Sequence, residues 1–186
     1  TESLAICRYL ESRYPEPNLF GRTPQETAVI EMWTRRAEML VATPLMIGVR
    51  HTHPAMGALE QQVPAIGEHN IQSSTRALKV LDRQLAGREW LAAERVTIAD
   101  IVAFVGIDFG RMIKFRVPDE FADVARWADA MRARPAARAG ACGLKHADQR
   151  RLRVQLDFGR RARRVVPEPW PVHCAPPISH EHPACP

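Results

Sequence analysis

Residues 94–110, ERVTIADIVAFVGIDFG, are the stretch whose reading decides the fold. Thr97 stands where a helix needs a side-chain oxygen for its first free N–H groups. Asp100, three residues on, can reach back to the cap, so Thr97 and Asp100 form a capping box in its Asp version. Val96 before the cap and Ile101 after it hold the two positions of a hydrophobic staple. From Ile101 to Phe109 the residues are apolar nearly all round, which predicts a helix buried at the centre of its domain. Asp100 reads as structural, and Asp100→Ala is expected to cost about 1–2 kcal/mol, the worth of a cap.

Working outward, every neighbouring segment also has a helical period. A helix of about residues 119–134 carries Phe121, Val124, Ala125, Ala128 and Met131 and closes at Pro135. On the other side, residues 65–86 carry Leu78, Leu81 and Leu85, with Gly87 just past the end as a C-cap signal. Thr23-Pro24-Gln25-Glu26 starts an earlier helix, with Thr as cap, Pro at the first helical position and Glu able to reach back. Its pattern runs through Val29, Trp33, Arg36 and Leu40 to about Val41, with a bend expected near Pro44. RHTHPAMGALEQQVP, residues 50–64, interrupts the period. At the front, Ser3 reads as N-cap of a helix to Arg13 with Ile6 and Leu10 as its apolar seam, stopped by Tyr14-Pro15-Glu16-Pro17. No segment alternates convincingly as a strand. The body is expected to be an all-α bundle.

Composition narrows the function classes. The chain has 186 residues and a net charge of +5, which invites a nucleic-acid reading. That excess, however, is concentrated after residue 139: residues 1–139 hold 18 basic and 17 acidic residues, residues 140–186 hold 8 and 4. No apolar run approaches the roughly 20 residues of a membrane span, and no secretory leader is legible. The four Cys lack any repeated C-x-x-C spacing, so neither a disulfide framework nor a zinc motif is evident and a cytoplasmic setting is the default. Residues 140–186 lose both periods and carry seven Pro and seven Arg. They read as a disordered basic tail, or as a GC-rich gene translated out of frame, the latter preferred. His173, Cys174, His180, His182 and Cys185 fit no zinc template, and RRLR and GRRARR read as a solvated charge run.

Three motifs in order, TESLAICRYLESRYPEPNLFG, LDRQLAGREWLAAERVTIADI and RWADAMRARPAARA, resemble the glutathione S-transferase family over about residues 1–139. The resemblance implies that residues 1–15 are the last helix of a thioredoxin-like domain and 16–22 the linker. Residues 23–139 would then be the family's C-terminal helical domain. In the family an acid-Ser pair binds the γ-glutamyl end of glutathione, so Glu2 and Ser3 become glutathione-binding candidates. A helix N-terminus suits the carboxylate, and Glu2 can pair with the ammonium. The bland alternative is a capping Ser3 and a solvated Glu2. The resemblance further implies a β-α-β-α-β-β-α unit ahead of these residues that carries the thiol-activating group. The chain is therefore expected to be truncated and catalytically incomplete.

The remaining candidates carry two readings each. His51 and His53 either help stabilise a glutathione thiolate, directly or through water, or form a polar bend. Trp33, Arg36 and Phe109 either border the electrophile cavity or, for the two aromatics, fill the core. The implied activity is conjugation of glutathione to a small hydrophobic electrophile, a detoxification chemistry. Glutathione would be co-substrate, with no cofactor, metal, nucleic acid or membrane, in a protein that is a homodimer. The rival is a non-catalytic helical module for dimerisation or docking.

Overall fold

A computed structural model of the protein describes residues 2–137, and among these every element is helical. Helix α1 spans Ser3–Arg13, α2 Pro24–Ala37, α3 Thr43–Thr52, α4 Pro64–Leu85, α5 Ile98–Phe109 and α6 Ala122–Ala133. Short 3-10 turns cover Pro54–Ala58 and Gly110–Ile113. The apolar residues matched above to α4 and α6, Leu78, Leu81, Leu85, Val124, Ala128 and Met131, are buried.

Helices α2 and α3 form one rod, joined by a π-helical turn at Glu38–Ala42. The Thr43 N–H donates five residues back, to the Glu38 carbonyl. Pro44 has no N–H, and its ring would collide with the carbonyl four residues earlier, so a wider turn just before it relieves the ladder without a break. The bend expected at Pro44 is therefore a π turn, and the helix carries on through Arg50, His51 and Thr52 before the loop begins. Two neighbours fit this turn closely. Ser74 of α4, fully buried, donates its hydroxyl to the Val41 carbonyl at 3.3 Å. Gly106 of α5 sits so near that a Cβ there would lie 2.5 Å from Ala42 Cα.

The main core gathers Val41, Leu45, Leu78, Leu81, Leu85, Leu91, Phe104 and Trp127 from the rod, α4, α5, α6 and the loop before α5. Each of the three α4 leucines is wholly out of water, worth about 1.5–3 kcal/mol apiece. A second core of Phe20, Ile30, Trp33, Ala92, Ile98 and Ala99 lies where α1, its linker, α2 and the start of α5 meet. Helix α5 is central, as expected, but not covered all round: Val105 is 57% and Phe109 37% exposed, one turn apart on one face.

Helices α4 and α6 cap each other. Asp82 Oδ1 accepts from the Asp123 and Val124 N–H groups at 3.0 and 3.1 Å, filling the role of an N-cap that Phe121 cannot fill. In return Arg126 Nη2 donates to the Leu85 and Arg88 carbonyls at the end of α4, at 3.0 and 2.7 Å. Because Pro118 to Phe121 form a turn first, α6 begins at Ala122, three residues later than the sequence period indicated. Gly87, beyond the end of α4, has φ +70, the left-handed conformation its sequence position implied.

Candidate functional site

Helix α1 differs from the others in having no buried residue. Leu4 and Cys7 touch the second core, whereas the seam read from the sequence, Ile6 and Leu10, faces outward at 48% and 47% exposure, beside Tyr9 at 65%. Polar contacts hold the helix instead. Glu11 accepts from the Leu19 and Phe20 N–H groups and from Asn18 Nδ2, at 2.6, 3.2 and 2.8 Å. Arg8 pairs with Glu31 of α2, and its guanidinium lies 4.6 Å from the centre of the Phe20 ring.

The start of α1 corrects one expectation. Ser3 is the first helical residue, not the cap; the cap position falls to Glu2, at φ 60, and no side-chain oxygen caps the helix there. Glu2 and Ser3 are both exposed. The helix ladder begins with the Ile6 N–H on the Glu2 carbonyl at 3.0 Å, leaving the first-turn N–H groups ahead of it pointing outward with the positive end of the dipole. That arrangement is receptive to a carboxylate.

One ion-pair cluster ties the linker to α2 and to the loop before α5. Arg95, before α5, pairs with Glu26 of α2 and donates to the Asn18 carbonyl and Oδ1 at 3.1 and 2.6 Å. Glu26 also accepts from the Arg22 N–H at 2.7 Å, not from the cap residue Thr23, whose own hydroxyl takes the Glu26 N–H at 3.1 Å. The Arg95 hydrogen bond, followed by the Arg22 N–H, holds the Glu26 carboxyl below the usual glutamate range.

Trp33 is buried at 5% exposure within the second core, and the Arg36 guanidinium lies 4.8 Å from its ring centre, an arrangement of favourable cation–π type. Phe109 is at the far end of α5, half-open to solvent. The two histidines serve the loop between α3 and α4. His53 Nδ1 accepts from the Ala55 N–H at 3.2 Å, capping the 3-10 turn, and His51 Nδ1 accepts from the Val63 N–H at 3.3 Å. Gln62 donates to the Arg50 and His53 carbonyls, and Arg50 grips Glu60 through two bonds of 2.6 and 3.0 Å. Both imidazoles thus have one nitrogen engaged in holding the loop.

Asp100 accepts four hydrogen bonds through its side chain. It is fully buried, as is Thr97. Its Oδ2 accepts from the Thr97 N–H and hydroxyl at 2.9 and 3.0 Å, closing the capping box. Its Oδ1 accepts from the Leu91 N–H and from Trp127 Nε1 at 2.9 and 3.0 Å. The sequence signalled the local half of this constellation; its links to Leu91 and to α6 carry no local signal. Glu11, Asp82, Arg95 and Arg126 went unread for the same reason, since their partners lie 7 to 77 residues away.

Among the described residues no group of three or more His, Cys, Asp or Glu is placed to hold a metal, and no helix is long and apolar enough to cross a membrane. The tail candidates His173, Cys174, His180, His182 and Cys185 and the two Arg-rich runs lie outside the described residues.

Residues 52–135 of the helical body match the family described as "Glutathione S-transferase, C-terminal domain". Among individual proteins the chain is similar to Glutathione S-transferase 2 of Saccharomyces cerevisiae, 30% identical over 137 residues, 72% of this chain and 58% of that protein. It superposes on the crystal structure of Gtt2 from Saccharomyces cerevisiae with a TM-score of 0.70 at 28% identity, over 75% of this chain and 68% of that one. It is also 28% identical, over 68% of its length, to Probable elongation factor 1-gamma 1 of Arabidopsis thaliana, of which it spans 30%. The chain thus spans less than two thirds of the curated relatives it matches.

Proposed function

We propose that this chain supplies the helical domain of a glutathione transferase, a cytoplasmic homodimer that joins glutathione's thiolate to small hydrophobic electrophiles. The likeness to a yeast glutathione S-transferase across 72% of the chain carries the reading. The uncapped, exposed start of α1 supports Glu2 and Ser3 as the place for the γ-glutamyl end of glutathione: N–H groups for its carboxylate, Glu2 for its ammonium. The outward face of α1, with Ile6, Tyr9 and Leu10, offers a thioredoxin-like domain an apolar surface to cover. That domain would bring the group that depresses the thiol pKa, since the thiolate is the reacting form.

Two measurements test this. Millimolar glutathione should shift the amide NMR signals of Ser3, Leu4 and Ala5, and Ser3→Ala with Glu2→Gln should abolish the shift. The 186-residue chain by itself should conjugate glutathione to an aryl halide no faster than buffer. Absence of the amide shift, or a shift confined to other helices, would remove Glu2 and Ser3 from the site.

The similarity to an elongation factor 1-gamma supports a second reading, a non-catalytic docking module. It predicts no response to glutathione at α1 and is separated from the first by the same titration.

A further inference from the structure

A cleft of about 680 Å³ opens at the far end of α5, between the turn Gly110–Val117 and α6. Its floor is apolar, built from Ile107, Phe115, Val117 and the small side chains Ala125 and Ala128. Its rim carries four cations: Arg111, Lys114, Arg116 and Arg132. Two of these are matched by carboxylates three residues earlier in the chain, Arg111 by Asp108 at 2.9 Å and Arg132 by Asp129 at 2.6 Å. Lys114 and Arg116 have no carboxylate within ion-pair distance among the described residues. Lys114 adopts φ 60 as the turn closes, with its N–H on the Arg111 carbonyl and the Phe115 N–H on that of Gly110. This reversal brings Lys114, Phe115 and Arg116 to one cleft.

We propose that this cleft binds an aryl or alkyl phosphate monoester, its apolar body on Phe115 and Val117 and its phosphate between Lys114 and Arg116. The volume suits a small ligand. The residual charge of the rim, two cations beyond those already paired, matches a phosphate monoester near −2 at neutral pH better than a monoanion. A guanidinium offers phosphate a two-pronged donor, and an ammonium adds a mobile point charge. Asp129 on the same rim opposes the anion, so the site is tuned by one carboxylate.

Calorimetric titration of the full chain tests the assignment with three probes sharing one body: 1-naphthyl phosphate, 1-naphthyl sulfate and 1-naphthol. Saturable binding is expected for the phosphate, at least several-fold tighter than for the sulfate and tenfold tighter than for the alcohol. Lys114→Asn with Arg116→Gln should weaken the phosphate at least tenfold; Asn suits the left-handed position, so the turn is preserved. Asp129→Asn should tighten it several-fold, a gain that misfolding cannot mimic. Equal affinity for the three probes, unchanged binding in the double variant, no gain in D129N, or no saturable binding would each overturn the proposal.

Discussion

Asp100→Ala should destabilise the domain by about 3–5 kcal/mol, well beyond the value of a helix cap. The carboxylate accepts four hydrogen bonds in a site closed to water. Removing it orphans the Leu91 N–H, the Thr97 N–H and the Trp127 indole N–H; the Thr97 hydroxyl can turn elsewhere. Each buried donor left without a partner costs about 1–3 kcal/mol, and relaxation or an entering water recovers part of the sum. For a domain of this size that loss lowers the melting temperature by on the order of 10–20 °C. Asp100→Asn separates geometry from volume. Its oxygen can still serve Leu91 and Trp127, but its NH₂ meets the Thr97 N–H donor to donor, so a smaller loss of about 2 kcal/mol is expected. Trp127→Phe removes one donor and orphans none but leaves a small cavity in the main core, and should cost about 2 kcal/mol. Urea unfolding followed by far-UV circular dichroism gives all three. A loss under about 1 kcal/mol for D100A, or D100N equal to D100A, would refute the claim that acceptor geometry at this carboxylate joins α5, its preceding loop and α6.

Three further outcomes follow from the same structure. Gly106→Ala puts a methyl against Ala42 backbone, so it should destabilise by about 1–2 kcal/mol, despite the helix propensity gained, as read by thermal denaturation. Because Glu26 titrates lower when folded than when unfolded, its contribution is full above the usual glutamate range and fades as pH falls through its depressed folded value. Unfolding titrations across the acid range should therefore show a flatter pH dependence for Glu26→Gln than for the wild type, with the variant already weaker at neutral pH. Leu10→Glu with Ile6→Glu should lower the binding of a hydrophobic fluorescent dye to the chain while leaving its circular dichroism unchanged, since both side chains face outward.

What the sequence determined by itself were the local features. Period, Pro and Gly placed α1 to within a residue, α4 likewise, and the Thr97–Asp100 box located α5, because each is set by contacts within about one turn of helix. Helix faces were less legible. Ile6 and Leu10 looked like a buried seam, yet α1 turns Leu4 and Cys7 inward, since an amphipathic pattern states that a face is apolar and not which neighbour covers it. Only the tertiary structure decided the rest: that Pro44 is accommodated by a π turn, that Asp82 and Arg126 cap one another's helices, that both histidines hold a loop, and that Asp100 reaches Leu91 and Trp127. Those bonds join groups distant in the chain, where the spacing between residues carries no geometric information. They exist because burying a helix end obliges its N–H and C=O groups to find partners wherever the packed helices bring one within reach.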